Sequence, residues 1–251
     1  MTTIRALIFA ACFAAGLPAH AESPASVLVV TEPEVPLQFE QEGEVRGIAT
    51  GIVRELFQRA DIEADIRLMP WARAYREAIQ RPNVAIYSIA QTPQRQAQFH
   101  WIGPIVPYHW RVFRLQSRAD IVLTRLDDLK RYKIGVVLGD AAHQFLLANG
   151  FSDLPAGNLS TAATANHLIR KLYAGRVDLM PMSELNCQFP VDQCSHFVEA
   201  LKLSEMGNGL YLALRQDSEP ALIKKLESAF QSMRQDGSLK SLQAPLQPAS
   251  Q

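Results

Sequence analysis

Short β-branched runs alternate with amphipathic helical segments along this chain, and that alternation restricts the fold more than any other feature of the sequence. Val27–Val30 and Val84–Ala90 are apolar runs of strand length, whereas Gly51–Ala60 carries its apolar residues at helical spacing. Strands that alternate with helices form a mainly parallel sheet with helices on its faces. The chain is therefore predicted to be an α/β protein.

The alternation occurs twice, which predicts two α/β units in succession. Segments 106–112 and 204–209 are expected to cross between the units, so that the last strand and helix return to the first one. Residues 32–44 are expected to form a loop, 183–188 a short helix and 245–251 a frayed tail. The predicted strands are 27–30, 64–68, 84–90, 133–138, 176–182, 198–203 and 210–214, and the predicted helices are 51–60, 71–80, 141–148, 163–173 and 220–234.

The first 21 residues have the pattern of a cleavable signal peptide. Arg5 supplies a positive charge, Ala6–Leu17 is apolar, and Ala19-His20-Ala21 gives the small residues that signal peptidase needs. A membrane anchor is the alternative, but it needs about 20 apolar residues and this run is shorter. We therefore expect a secreted protein, periplasmic in location.

The charge balance argues against a nucleic-acid or membrane-surface partner. The chain has 25 Lys and Arg residues against 25 Asp and Glu residues, so it has no global field to attract either surface. No second long apolar run follows the signal peptide. A small molecule remains as the expected partner of a soluble chain.

Two cysteines remain after the signal peptide, and both fall in one short polar segment. Cys187 and Cys194 flank Pro190 in an exported chain, where disulfides persist, so a disulfide is predicted. A disulfide that closes so short a loop stabilises the folded protein by about 2–3 kcal/mol in the chain-entropy model. A zinc site is the alternative, but only His196 lies nearby. No metal and no cofactor is expected.

A series of sequence blocks, spread from Val27 to Leu242, resembles one protein family. They are similar to the periplasmic solute-binding proteins of the polar amino-acid type, the family 3 bacterial extracellular receptors of ABC importers. The blocks are GEVRGIATGIVRELF (43–57), SIAQTPQRQAQFHWIGPI (88–105), KIGVVLGDA (133–141), AGRVDLM (174–180), GLYLALRQDSEP (209–220) and RQDGSLKSL (234–242).

The resemblance implies the two-lobed periplasmic-binding-protein fold of type II. Each lobe is then a mixed, mainly parallel sheet flanked by helices, and two hinge crossings join the lobes. The boundaries that follow are 1–21 for the signal peptide, 22–108 with 209–245 for the first lobe, 109–208 for the second lobe and 246–251 for a frayed tail. The resemblance also implies a monomer that binds a small polar ligand and an ABC permease.

The block at 88–105 supplies the first candidate ligand residues. In the resembling proteins the Arg of Thr-x-x-Arg holds the ligand's carboxylate, and Arg95 occupies that position. A guanidinium offers a charged, bidentate fork that matches a carboxylate, although most arginines on helices are simply solvated. Ser88 and Ala90 stand where the family places small residues, and Ala90 offers only its backbone.

Further candidates in the first lobe surround the expected cleft. Glu32 follows the first strand, where the family often has a carboxylate for a cationic group, but it could be an ordinary loop acid. Trp71 and Arg73 open the second helix and could stack on or clamp an anion; the alternative places Trp71 in the core and Arg73 in solvent. Of the aromatic residues Tyr87, Trp101 and Tyr108, we retain only Tyr87, because aromatic residues on strands usually lie in the core.

The second lobe departs from the family pattern. Asp140 stands where the family has Thr or Ser, and it is a good helix cap, but a free acid there would repel a carboxylate. The family's ammonium-binding Asp is replaced by Ser183, with Glu184 next to it. Unless Glu184 substitutes for that Asp, the ligand is not a simple α-amino acid.

These observations favour a binding receptor, and two other functions remain open. Some proteins of this fold dehydrate cyclic acids, so an enzyme similar to cyclohexadienyl dehydratase is possible, with Glu184 or Glu32 as the acid and Arg95 as the anchor. The third possibility is a free-standing sensor that reports ligand occupancy to a membrane partner. We expect no enzyme activity.

Overall fold

The computed structural model describes residues 26–183, 185 and 195–246. The predicted signal peptide, Glu184, Cys187 and Cys194 lie outside the described residues, so those assignments stay predictions. Among the residues it does describe, no helix has the length and apolar composition that a bilayer crossing requires.

The described chain alternates between strands and helices, as the sequence predicts. The strands are β1 (Val27–Thr31), β2 (Phe39–Gln41), β3 (Glu44–Arg46), β4 (Ala64–Leu68), β5 (Ala85–Ala90), β6 (Phe99–Pro107), β7 (Trp110–Leu115), β8 (Ile134–Val137), β9 (Leu159–Ala162), β10 (Met180–Ser183), β11 (Phe197–Lys202) and β12 (Gly209–Arg215). The helices are α1 (Ile48–Arg59), α2 (Trp71–Gln80), α3 (Pro93–Gln96), α4 (Ala141–Ala148), α5 (Ala165–Tyr173), α6 (Pro220–Gln235) and α7 (Ser238–Gln243).

The first lobe is built on a five-stranded sheet in the order β4-β1-β5-β12-β6. β1 runs parallel to β4 and β5, and β12 runs antiparallel to β5 and β6. Successive residues of β1 face opposite sides, so Val29 belongs to the core under α1 and Val30 to the core under α2. Helices therefore cover both faces of this mixed sheet.

The second lobe has fewer parallel pairings than the sequence predicts. β8 and β9 pair in parallel, and a bridge from Ile134 to Leu179 connects β8 to the segment that enters β10. β7, however, pairs antiparallel with both β10 and β11. The reason is connectivity: β7 brings the chain in from the first sheet and β11 takes it back, so the two strands run in opposite directions.

The chain passes between the two sheets at residues 107–110 and again at 202–209. The backbone N–H of Tyr108 donates to Asn208 O at 3.1 Å, so the two crossings lie side by side. Part of the first predicted crossing, 106–112, is in fact strand, because β6 and β7 extend almost to each other. The predicted boundaries stay a proposal: 22–108 with 209–245 for the first lobe, and 109–208 for the second.

Two local predictions are wrong. The expected loop at 32–44 contains β2, which pairs with β3 as a short hairpin that no alternation of three residues could reveal. Ser183 is the last residue of β10; of the rest of the predicted helix 183–188 only Leu185 is described, in 3-10 conformation, so that helix stays a prediction. The predicted frayed tail begins too early, because Leu246 is only 5 % exposed and belongs to the core of the first lobe.

Gly47 is the position at which the backbone itself demands glycine. Its φ of 119° and ψ of 169° lie in a region that only glycine adopts, and an added Cβ would lie 2.4 Å from Leu37 O. We expect Gly47→Ala to lower the free energy of unfolding by about 2 kcal/mol or more in urea titrations followed by circular dichroism. Gly51→Ala in the same helix has open space, and it should leave stability unchanged or raise it by up to about 1 kcal/mol. Equal effects of the two substitutions would refute this account.

Candidate ligand-binding cleft

A cavity of about 50 Å³ lies between the two lobes, which is room for a few water molecules. The first lobe contributes its wall from the ends of β1 and β5, and the second lobe from β8, β10 and the start of α4. The lining residues are Glu32, Pro33, Glu34, Trp71, Ser88, Ala90, Arg95, Tyr108, Trp110, Val137, Asp140, Ala141, Ala165, Leu168, Met180, Pro181, Met182 and Leu210.

Arg95 crosses the cavity and holds the two lobes together. Its side chain is 1 % exposed, and its Nη2 donates to Gly139 O of the second lobe at 3.0 Å. The indole Nε1 of Trp71 donates to the same carbonyl at 2.8 Å. The guanidinium carbon lies 5.0 Å from the ring centroids of both Trp71 and Tyr75, a cation–π arrangement. These contacts across the cleft explain why the cavity is small.

The guanidinium of Arg95 is nevertheless incompletely satisfied. Its Nε is buried and has no hydrogen-bond partner among the described residues. Burial lowers the pKa of Arg95, while Tyr75, Asp140 and Glu32 oppose that effect. A charged donor left unpaired in a buried wall is costly, so the site favours an acceptor that can reach Nε.

Three carboxylates share the cavity wall with Arg95. Glu32 has no hydrogen bond to any described residue; burial raises its pKa well above the ordinary value, and the charges of Glu34 and Asp140 raise it further. Glu34 accepts from the hydroxyl of Tyr108 at 2.9 Å. Asp140 caps α4 by accepting from the backbone N–H of His143 at 2.6 Å, as the sequence predicts, and burial raises the pKa of Asp140 to about 6.

Ser88 is built into a hydrogen-bonded chain behind the wall. Its φ is +57°, and the pairing of β12 shifts register opposite it, between Tyr211 and Leu212. The hydroxyl of Ser88 donates to Gln38 Oε1 at 2.8 Å, and Gln38 Nε2 approaches Glu34 Oε2 at 3.4 Å. The hydroxyl therefore orients Gln38 and, through it, Glu34.

The carbonyl that Arg95 and Trp71 share is itself held in place. The backbone N–H of Gly139 donates to His143 Nδ1 at 3.0 Å, and His143 Nε2 lies 3.0 Å from Asp153 Oδ1. With Nδ1 acting as the acceptor, the ring proton is on Nε2 and faces the carboxylate of Asp153. The turn at 139–140 is thus fixed from the second lobe before it meets the first.

Residues 27–245 match the sequence profile of the bacterial extracellular solute-binding proteins, family 3. The chain belongs to this family. It is a solute-binding protein of the amino-acid type, and the resemblance read from the sequence is confirmed. No curated protein sequence matches it significantly.

Solved structures share the fold of this solute-binding protein at low sequence identity. A histidine kinase sensor domain with similarity to periplasmic binding proteins has a TM-score of 0.77 and 16 % identity, over 88 % of this chain and 95 % of that one. An ancestral arginine-binding protein bound to glutamine has a TM-score of 0.73 and 18 % identity, over 88 % of this chain and 97 % of that one. An amino acid ABC transporter substrate-binding protein from Streptococcus pneumoniae, bound to L-arginine, has a TM-score of 0.72 and 17 % identity, over 88 % of this chain and 92 % of that one. Because identity is so low, these matches show the two-lobed fold alone.

The cavity of the solute-binding protein brings together most of the candidates proposed from the sequence, but not all of them. Glu32, Trp71, Ser88, Ala90, Arg95 and Asp140 line it, and their ligand contacts stay a prediction.

Three other candidates point elsewhere. Tyr87 is fully buried with its hydroxyl 2.9 Å from that of Thr50, because neighbouring residues of β5 face opposite sides. Arg73 is exposed, since it lies two residues after Trp71 on the helix. Ser183 is fully buried, and its hydroxyl accepts from the N–H of Leu185 at 3.3 Å.

The sequence reasoning missed several residues of the solute-binding protein that also line the cavity. Glu34 could have been found, because it lies only two residues after Glu32, just beyond the end of β1. Tyr108, which the sequence analysis considered and set aside, and Trp110 come from the first crossing, and Met180 and Met182 come from β10. No local pattern distinguishes these four from ordinary core residues.

The buried charge of Asp140 predicts a pH-dependent stability. Because the folded pKa is about 6 and the unfolded value about 4, the contribution of Asp140 to stability falls as the pH rises through that window. Asn is also a good cap. We therefore expect Asp140→Asn to raise the free energy of unfolding by up to about 2–3 kcal/mol at pH 7, and by little at pH 4, in urea titrations.

The matched control is Asp128, whose carboxylate accepts from the backbone N–H and the hydroxyl of Thr124. Those bonds lower its pKa, so Asp128→Asn should destabilise the protein at pH 7. If Asp140→Asn destabilises at pH 7 as well, burial is not the dominant effect at Asp140.

Proposed function

We propose that this protein captures a small polar, carboxylate-bearing molecule between its lobes and delivers it to an ABC importer from the periplasm. The observation that carries the proposal is the buried guanidinium of Arg95, which lines the interlobe cavity with an unpaired Nε. The family supports binding over catalysis. The predicted signal peptide supports the location, and the resemblance supports an ABC permease as the partner.

The geometry of Arg95 suits a carboxylate that approaches from the cavity. Nε and Nη2 form one edge of the guanidinium, and a carboxylate binds such an edge through two parallel hydrogen bonds. At present Nη2 donates to Gly139 O and Nε is unpaired. A ligand carboxylate would satisfy both nitrogens at once, replacing one interlobe hydrogen bond with two charged ones.

Ligand entry requires the lobes to separate, because the cavity of about 50 Å³ is too small for an amino acid. The two crossings that lie side by side at Tyr108 and Asn208 provide the hinge. Closure around the ligand then excludes water and strengthens each polar contact. Micromolar binding corresponds to about −8 kcal/mol, which a few charged hydrogen bonds and the contact with Trp71 can supply.

Thermal-shift measurements on a panel of amino acids, organic acids and amines test this proposal. We expect at least one carboxylate-bearing compound to raise the melting temperature. For that compound, Arg95→Gln should weaken binding roughly 30-fold or more, since loss of one buried charged partner costs about 2–5 kcal/mol. Arg95→Lys keeps the charge but not the fork and should bind with intermediate affinity.

Arg73→Gln is the matched control, because Arg73 is an exposed arginine of the same lobe that does not line the cavity. It should bind the compound with unchanged affinity. Circular dichroism establishes that each variant is folded. The proposal fails if no compound of any class stabilises the protein, or if folded Arg95→Gln binds as tightly as the unsubstituted protein.

A further inference from the structure

The charges on the cavity wall do not balance. Among the described residues that line it, the charged side chains are Glu32, Glu34, Asp140 and Arg95. Three carboxylates therefore face one guanidinium. When all three are ionised, the wall carries an excess of negative charge where closure excludes water, and a buried charge without a partner is strongly unfavourable.

Two of these charged groups lack a protein partner that would satisfy them. Glu32 is partly buried and has no hydrogen bond to a described residue, and the Nε of Arg95, on a side chain that is 1 % exposed, is buried and unpaired. A carboxylate without a protein donor and an unsatisfied guanidinium donor thus line the same cavity. A single molecule that offers both an anion and cations would satisfy both.

We propose that the ligand carries a net positive charge, with its carboxylate on Arg95 and its cationic groups between Glu32, Glu34 and Asp140. This inference rests on the proposed function and names its substrate class. A zwitterionic ligand has no net charge, so it would leave the wall's excess of two negative charges unchanged. A basic amino acid carries one net positive charge and reduces that excess to one.

The placement of the acids connects the cation to closure. Glu32 and Glu34 follow β1 in the first lobe, whereas Asp140 begins α4 in the second. Closing the empty cleft brings like charges together, and a cation between them converts that repulsion into attraction. A cationic ligand therefore stabilises the closed form more than a neutral one of the same shape.

The remaining wall offers apolar surface for an aliphatic part of the ligand. Trp110, Leu168, Met180 and Met182 contribute apolar surface from the second lobe and the first crossing. Methionine side chains adapt to the shape of a ligand, and the methylene groups of a long basic side chain can pack against them. The cavity wall therefore combines charged groups with apolar surface.

The titration of the acids supports the same conclusion. The pKa of Glu32 is raised well above its ordinary value and that of Asp140 to about 6, so the empty cleft retains protons more strongly than solvent-exposed acids do. Glu34, Arg95 and His143 are the other charged or titratable groups that act on them. A bound cation displaces those protons, so affinity for a cationic ligand should rise as the pH increases from about 5 to 7.

Isothermal titration calorimetry with paired ligands tests the inference on the full secreted protein. L-Arginine and L-citrulline have the same shape but differ in side-chain charge, as do L-lysine and L-norleucine approximately. We expect the cationic member of each pair to bind at least about tenfold more tightly than the neutral one. L-Glutamate, which is anionic, should bind more weakly than either neutral compound. Agmatine, which lacks the carboxylate, tests the role of Arg95 separately.

Glu32→Gln supplies the matched variant because it removes the charge and keeps the shape. It should reduce affinity for L-arginine at least about tenfold and change that for L-citrulline less than about threefold. Glu40→Gln, at an exposed acid of β2 outside the cavity, should change neither. An equal loss for both ligands in Glu32→Gln would indicate a merely structural role and would overturn the inference.

The outcomes separate this inference from the proposed function. If L-citrulline, L-norleucine or L-glutamate binds as tightly as the cationic compounds, the cation assignment is wrong and the binding function stands. If agmatine binds as tightly as L-arginine, the cation assignment stands and the carboxylate contact with Arg95 is wrong. If nothing in the wider panel binds, both are wrong.

Discussion

One carbonyl oxygen, that of Gly139, accepts hydrogen bonds from both Trp71 and Arg95 across the gap between the lobes. The closed arrangement of this solute-binding protein depends on that acceptor, because two side chains of the first lobe bind the second lobe through it. His143 fixes the turn that carries it, and Asp140 caps the helix that follows. A weak, replaceable contact of this kind suits a protein that must open and close repeatedly.

The same arrangement explains why the cleft holds unsatisfied groups. Folding supplies Arg95 with two carbonyl acceptors but leaves Nε without one, and it leaves Glu32 without a donor. Such groups reduce the stability of the empty closed form and add to the affinity for a molecule that satisfies them. Stability and binding are therefore opposed at the same few residues, as is common at functional sites.

The site was predictable where a residue's role follows from its local position, and not where it depends on the opposite lobe. Arg95 and Ser88 were found through their family block, and Asp140 as a helix cap. Met182 was missed because a methionine on a buried strand has the same local pattern whether it faces a core or a ligand. Tyr87 was assigned to the cleft by its strand, yet the alternation of β5 turns it towards Thr50.

The sequence by itself determined the alternation of strands and helices, the return of the chain to its first sheet and the family, because these follow from periodicity and from ordered motifs. Only the tertiary structure decided that three carboxylates share one cavity with Arg95. Glu32 and Asp140 are far apart along the chain, and their proximity depends on how β12 inserts between β5 and β6 and how the crossings set one lobe against the other. Electrostatic interaction depends on distance in space, which no local pattern encodes.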